Sequence, residues 1–216
     1  IVSAPPRAAK IFRGWRFNRL LMQKRHPSED YKERNQAALP AMQLNATADI
    51  LRRYDLQPRR YLLVNPTASR RDKAWPAENF KRLGAFLKEH FSAWDIRIVG
   101  SPAESDWLAE AAGSQKILQP QTLSELFAIL AGAAALITNT SSMQFIAAAT
   151  GVPTLTLMGW AHPLRWGPLG GNNLVIRGET SDARNIFERD GESYRSIAPA
   201  MVEAEASAWL KSRLPR

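Results

Sequence analysis

The chain has 216 residues, 45% hydrophobic and 23% charged. That is enough to bury one full core and an appendage, not two complete domains, and it is not the composition of a disordered chain. The absence of cysteine excludes disulfides, thiolate metal sites and cysteine nucleophiles, and three histidines (His26, His90, His162) make a histidine-rich metal site a poor fit. The formal charge of +9 suits an anionic partner, and much of it is gathered at one end: Arg7, Lys10, Arg13, Arg16, Arg19, Lys24 and Arg25 occur with no acid in residues 1–25.

In chain order, the sequence starts at Ile1 within polar, proline-rich sequence, which reads as the interior of a longer protein. Residues 7–25 interleave their cations with Ile11, Phe12, Trp15, Phe17, Leu20 and Leu21. Such a segment suits anionic lipid heads or an ordinary solvated cover; a nucleic-acid contact is the weakest reading, so no nucleic-acid partner is expected. The apolar runs fall short of the roughly 20 residues of a membrane span, and the first residues lack a signal peptide's apolar core.

A polar stretch around Pro27–Glu33 precedes an expected helix over 34–54. From about residue 60, β-branched runs alternate with helical stretches, the rhythm of βαβ units around a parallel sheet. Strands are predicted at Tyr61–Val64, Ile96–Val99, Lys116–Leu118, Ala135–Thr138, Thr154–Met158 and Leu174–Ile176, with helices near 76–91, 103–112, 123–132 and 141–150. Pro76 suits a first helical position, where its missing N–H has no helical partner. Thr122 with Glu125 three residues on forms a capping box. Pro199–Leu214 reads as an amphipathic closing helix.

Three segments fall just past predicted strands, where open α/β sheets bind ligands. Residues 65–76 (NPTASRRDKAWP) offer the hydroxyls of Thr67 and Ser69 and the cations Arg70, Arg71 and Lys73, a kit for a diphosphate; a solvated polar loop is the plain alternative. Residues 139–151 (NTSSMQFIAAATG) bring Thr140, Ser141 and Ser142 to a helix start, where free amides favour phosphate, although capping alone accounts for one hydroxyl. Residues 158–168 (MGWAHPLRWGP) carry two tryptophans, His162 and Arg165, which could stack on a base or grip phosphates; His162 by itself fits a surface or packing role better than a base. No nucleophile elbow, Walker loop, G-x-G-x-x-G or metal-ligand cluster is present.

In this order and spacing the segments resemble the carboxyl-terminal domain of the family 9 glycosyltransferases, the heptosyltransferases of lipopolysaccharide core assembly, over about residues 10–178. Lys73-Ala74-Trp75-Pro76 resembles the family's K-x-W-P element, residues 139–149 its N-D-[ST]-G-x-x-H-L-A-A-A helix start, and Gly151-Val152-Pro153-Thr154 with Gly159–Pro163 its G-x-P-T strand and following loop. Thr140, Ser142 and Phe145 stand where the family has aspartate, glycine and histidine, and Trp160 and Ala161 where it has proline and threonine.

The resemblance implies an α/β, Rossmann-like parallel sheet forming the carboxyl-terminal half of a GT-B glycosyltransferase. Residues 1–58 would be the end of the amino-terminal domain and the connection, and 59–216 the nucleotide-sugar-binding domain. It implies inverting, metal-independent transfer from a nucleotide sugar, typically ADP-heptose, to a lipid-linked glycan acceptor, with no cofactor. Donor binding would fall to Thr67, Ser69, Lys73, Thr140, Ser141 and Ser142. The catalytic base would be an amino-terminal carboxylate with no counterpart in this chain. A cytoplasmic setting is implied, with residues 7–25 peripheral on the inner face of the inner membrane. The departures at 140, 142 and 145 motivate an alternative, a non-catalytic binding or scaffold subunit.

Overall fold

Six runs of aliphatic and β-branched residues form β1 (Tyr61–Asn65), β2 (Asp95–Val99), β3 (Lys116–Leu118), β4 (Ala135–Asn139), β5 (Thr154–Met158) and β6 (Asn173–Arg177). They were traced in a computed structural model that describes residues 44–159, 166–168, 172–178 and 192–215, all within a compact unit spanning Pro40–Arg216. The basic segment 7–25, residues 34–43 of the expected first helix, and Trp160, His162 and Arg165 lie outside the described residues. Helices are α1 (Leu44–Arg53), α2 (Ala77–His90), α3 (Ser105–Ala112), α4 (Leu123–Gly132), α5 (Ser142–Ala149), α6 (Glu192–Arg195) and α7 (Pro199–Arg213).

All strand pairs are parallel, in the order β3-β2-β1-β4-β5-β6. Every residue of β1, β4 and β5 is buried, as expected of strands covered on both faces. The period of two divides their side chains. Leu62, Val64, Ile96, Ile98, Ala135 and Ile137 share one core with Phe80, Leu83 and Leu87 of α2, Leu108 of α3, and Val202, Ala206 and Leu210 of α7. Tyr61, Leu63, Val99 and Leu136 share the other with Leu51 of α1, Ile129 and Leu130 of α4, and Met143 and Ala147 of α5. Phe80, Leu83 and Leu87 recur at helical spacing, so α2 buries one stripe.

The predicted strands all form, and helix boundaries shift by a residue or two. One shift has a physical reason: Pro76, with φ −51° and ψ 140°, caps α2 from outside and is not its first helical residue. The short α6 was not anticipated. It packs against strand ends that only glycine permits: a Cβ on Gly178 would lie 1.6 Å from the Ser193 carbonyl oxygen, and one on Gly159 2.4 Å from the Tyr194 ring.

The capping box at the start of α4 forms as expected, and its acid does more. Glu125, buried at 7% exposure, bonds the N–H groups of Gln121 (2.7 Å) and Thr122 (3.3 Å) while accepting from Arg53 (2.6 Å) and the Tyr54 hydroxyl (3.0 Å). One carboxylate thus joins the start of α4 to the end of α1. The Gln121 N–H foremost, then Tyr54, Thr122 and Arg53, hold this carboxyl below its ordinary 4.5, against the opposing effect of burial.

Two outcomes are expected. Gly178→Ala costs about 3 kcal/mol in denaturant unfolding, the upper end of the overpacking range, since the obstruction is backbone. Glu125→Gln lowers Tm at neutral pH. Because the folded pKa is depressed, the wild-type advantage is full above 4.5 and vanishes as pH falls through the lower folded value, so the two melting curves converge in acid.

Candidate functional site

The strand order reverses between β1 and β4: the chain runs outward through β2 and β3 on one side and through β5 and β6 on the other. Beyond the carboxyl ends of β1 and β4 lies the crevice in which such sheets bind ligands. The loop joining β1 to α2 and the start of α5 meet there.

Each central strand ends in an asparagine, and both side chains are almost fully buried, Asn65 at 1% and Asn139 at 0% exposure. The Asn139 side chain accepts from the Trp75 N–H (3.0 Å) and donates to the Pro66 carbonyl (2.7 Å), gripping both ends of the β1–α2 loop from the neighbouring strand. Asn65 donates to the Val99 carbonyl at the end of β2 and to the Thr67 hydroxyl, each at 2.9 Å. Its own oxygen lies 2.9 Å from the Thr138 hydroxyl and 3.3 Å from that of Ser141, both able to donate to it. Trp75, 1% exposed, sets its ring edge-on to Phe80 and donates its indole N–H to the Ile197 carbonyl (2.9 Å). Two amides and one indole therefore fix the loop against three strands and the segment before α7.

The residues singled out for donor binding divide by direction. Thr67 is buried and its hydroxyl turns inward to Asn65. Ser69 and Ser142 are exposed, and Lys73 is half-buried in a 3₁₀ turn, Arg71–Lys73. The Thr140 hydroxyl reaches the Leu157 carbonyl (3.4 Å) and also bonds Tyr194, whose own hydroxyl burial pushes above its ordinary range. Ser141 occupies the N-cap of α5, yet its hydroxyl does not cap the helix; it lies 3.1 Å from the Thr138 hydroxyl. Capping by the Ser141 side chain is absent, and among the described residues no side chain is seen capping the first turn of α5. An uncapped helix start favours an anion through its free amides and dipole.

Two of the loop's expected phosphate cations prove to be engaged elsewhere. Arg70 pairs with Asp72 through both carboxylate oxygens, and Arg71 pairs with Glu110 of α3. Gln144 of α5 is fully buried and donates to the carbonyl of Trp166 in the third segment (2.7 Å). Among the described residues, its Oε1 is a buried acceptor without a hydrogen-bond partner. Among the described residues, no group of three or more histidines, aspartates and glutamates is arranged to hold a metal, and no helix is long and apolar enough to cross a membrane. The two asparagines were not anticipated, although the signal was present: YLLVN and ALITN each end an apolar run on Asn immediately before a candidate loop.

The all-parallel sheet, its order and its flanking helices define a Rossmann-like α/β domain. The chain belongs to glycosyltransferase family 9 (heptosyltransferase), whose family model matches residues 15–193. Among solved structures it is similar to E. coli ADP-heptose lps heptosyltransferase II, at 23% identity and TM-score 0.62, over 79% of this chain and 52% of that one. It is also similar to E. coli heptosyltransferase WaaC with ADP, at 23% identity and TM-score 0.58, over 70% and 45% of the two chains. A third is the glycosyl transferase family 9 protein from Veillonella parvula DSM 2008, at 18% identity and TM-score 0.63, over 77% and 51%. The chain thus spans about half the length of these structures. A comparison with curated proteins gives no match. The α/β, Rossmann-like fold expected of half a GT-B glycosyltransferase is borne out.

Replacing Asn139 by leucine leaves the Trp75 N–H and the Pro66 carbonyl buried without partners. The expected loss is about 2–4 kcal/mol in denaturant unfolding, at roughly 1–2 kcal/mol for each orphaned group.

Proposed function

We propose that this chain is the donor half of a glycosyltransferase that moves a sugar from a nucleotide-sugar donor, ADP-heptose, to the lipopolysaccharide core or a related lipid-linked glycan. One observation carries the reading: in a family 9 chain, the loop bearing Lys73 and the uncapped start of α5 meet at the switch point between β1 and β4. The donor diphosphate would lie there, met by Lys73 and the exposed Ser69 on one side and by the first-turn amides and Ser142 on the other.

Transfer with inversion breaks the bond between the sugar's anomeric carbon and the diphosphate as the acceptor oxygen attacks from the opposite face. The acceptor proton passes to a general base. Negative charge collects on the departing diphosphate. Fixed donors already pointing at that position stabilise it without reorganising, which is what a loop locked by Asn65 and Asn139 provides. Phosphates or anionic lipid heads around the acceptor would meet the cations of residues 7–25 at the inner face of a membrane.

Calorimetric titration of the chain with ADP, UDP and GDP tests this reading. Saturable ADP binding is expected. Lys73→Ala should weaken it about ten- to a hundred-fold, the value of a charge-assisted hydrogen bond to phosphate. Absence of saturable binding for all three nucleotides would instead favour a scaffold without a donor site.

A further inference from the structure

We infer that Arg71 is a positioning residue: it anchors the β1–α2 loop to α3 through Glu110 and Trp107 and makes no contact with the donor diphosphate. The inference rests on the reading of this loop as the donor site. Two guanidinium nitrogens meet the two carboxylate oxygens of Glu110, one pair at 3.0 Å, and the guanidinium carbon lies over the Trp107 ring, 4.9 Å from its centre. This fork geometry fixes both direction and distance, which an ammonium could not do. The anchor is firm, because α3 buries Leu108, Ala111 and Ala112 in the core.

The loop is therefore held twice. Asn139 grips its ends at Pro66 and Trp75, and Arg71 ties the stretch between them to a different helix. Arg71 opens the 3₁₀ turn that contains Lys73, and its carbonyl accepts the Ala74 N–H (3.2 Å). Holding Arg71 thus holds the turn on which Lys73 is mounted.

Charge argues against a direct phosphate contact. Glu110 lies against the guanidinium and Asp106 adds a second acid nearby, so a diphosphate reaching Arg71 would approach carboxylates. The two partners respond as a coupled pair: the hydrogen bond from Arg71 holds the Glu110 carboxyl below its usual range, and the same bond raises the guanidinium.

Titration with ADP separates the two roles by sign. If Arg71 positions the loop, Glu110→Gln weakens ADP binding about five-fold, the upper value of an exposed ion pair, while the unfolding midpoint stays unchanged because both partners are half exposed. The double variant Arg71→Glu/Glu110→Arg, which rebuilds the pair in reverse, then restores binding. If Arg71 contacts the diphosphate, Glu110→Gln releases it, ADP binds as tightly or more tightly, and the reversed pair stays weak; that pattern overturns the inference. Lys73→Ala runs alongside. Wild-type binding that Lys73→Ala weakens while Glu110→Gln does not defeats the positioning role alone. Failure of the wild-type chain to bind ADP, or binding indifferent to Lys73, removes the donor-site reading and this inference with it.

Discussion

The site depends on the side chain of Asn139, a fully buried amide that reaches from the end of β4 to both ends of the neighbouring loop. A buried backbone N–H or carbonyl that loses its water must find a partner or cost free energy. The Pro66 carbonyl just past β1 and the Trp75 N–H just before α2 both lie outside the strand ladder, and one amide satisfies both. Asn65 makes the complementary connection, from β1 to the Val99 carbonyl and to the hydroxyls of Thr67, Thr138 and Ser141. The two strands flanking the switch point are thus joined by side chains beyond the last rung of their backbone pairing.

This joining explains the division of labour among the polar residues. Thr67, Thr140 and Ser141, which sequence alone offers as ligand groups, turn their hydroxyls to Asn65, Leu157, Tyr194 or Thr138. Thr140 stands where the family resemblance has an aspartate. With Thr140 bonded to Tyr194, and Tyr194 packed on Gly159, the uncharged residue ties the start of α5 to the chain just before α7. Arg70 and Arg71 are likewise matched, by Asp72 and Glu110. The field offered to an anion is weaker than a count of basic residues suggests.

The six strands and the main helices were legible because β-branched runs of four or five residues alternating with amphipathic stretches have few other packed solutions. The capping box at Thr122 and Glu125 was legible because its signal is local. Long-range partners were not. Nothing in NPTASRRDKAWP reveals that Arg71 will meet Glu110, 39 positions away, or that Trp75 will donate to Ile197, 122 positions away. Side-chain direction at the start of α5 was equally hidden, since a serine at an N-cap normally caps, and Ser141 is drawn instead to Asn65 and Thr138. α6 escaped notice because its four residues carry no period, and its place is set by Gly159 and Gly178 on other elements.

A preorganised crevice between β1 and β4 is the central claim, and a crystal structure of the chain with ADP tests it most directly. The account predicts the diphosphate between the two loops, with Lys73 and the first-turn amides of α5 within hydrogen-bonding distance and the Asn139 bonds to Pro66 and Trp75 intact. A diphosphate bound at the opposite, amino-terminal edge of the sheet, or a loop that leaves Asn139 to receive it, would contradict the account.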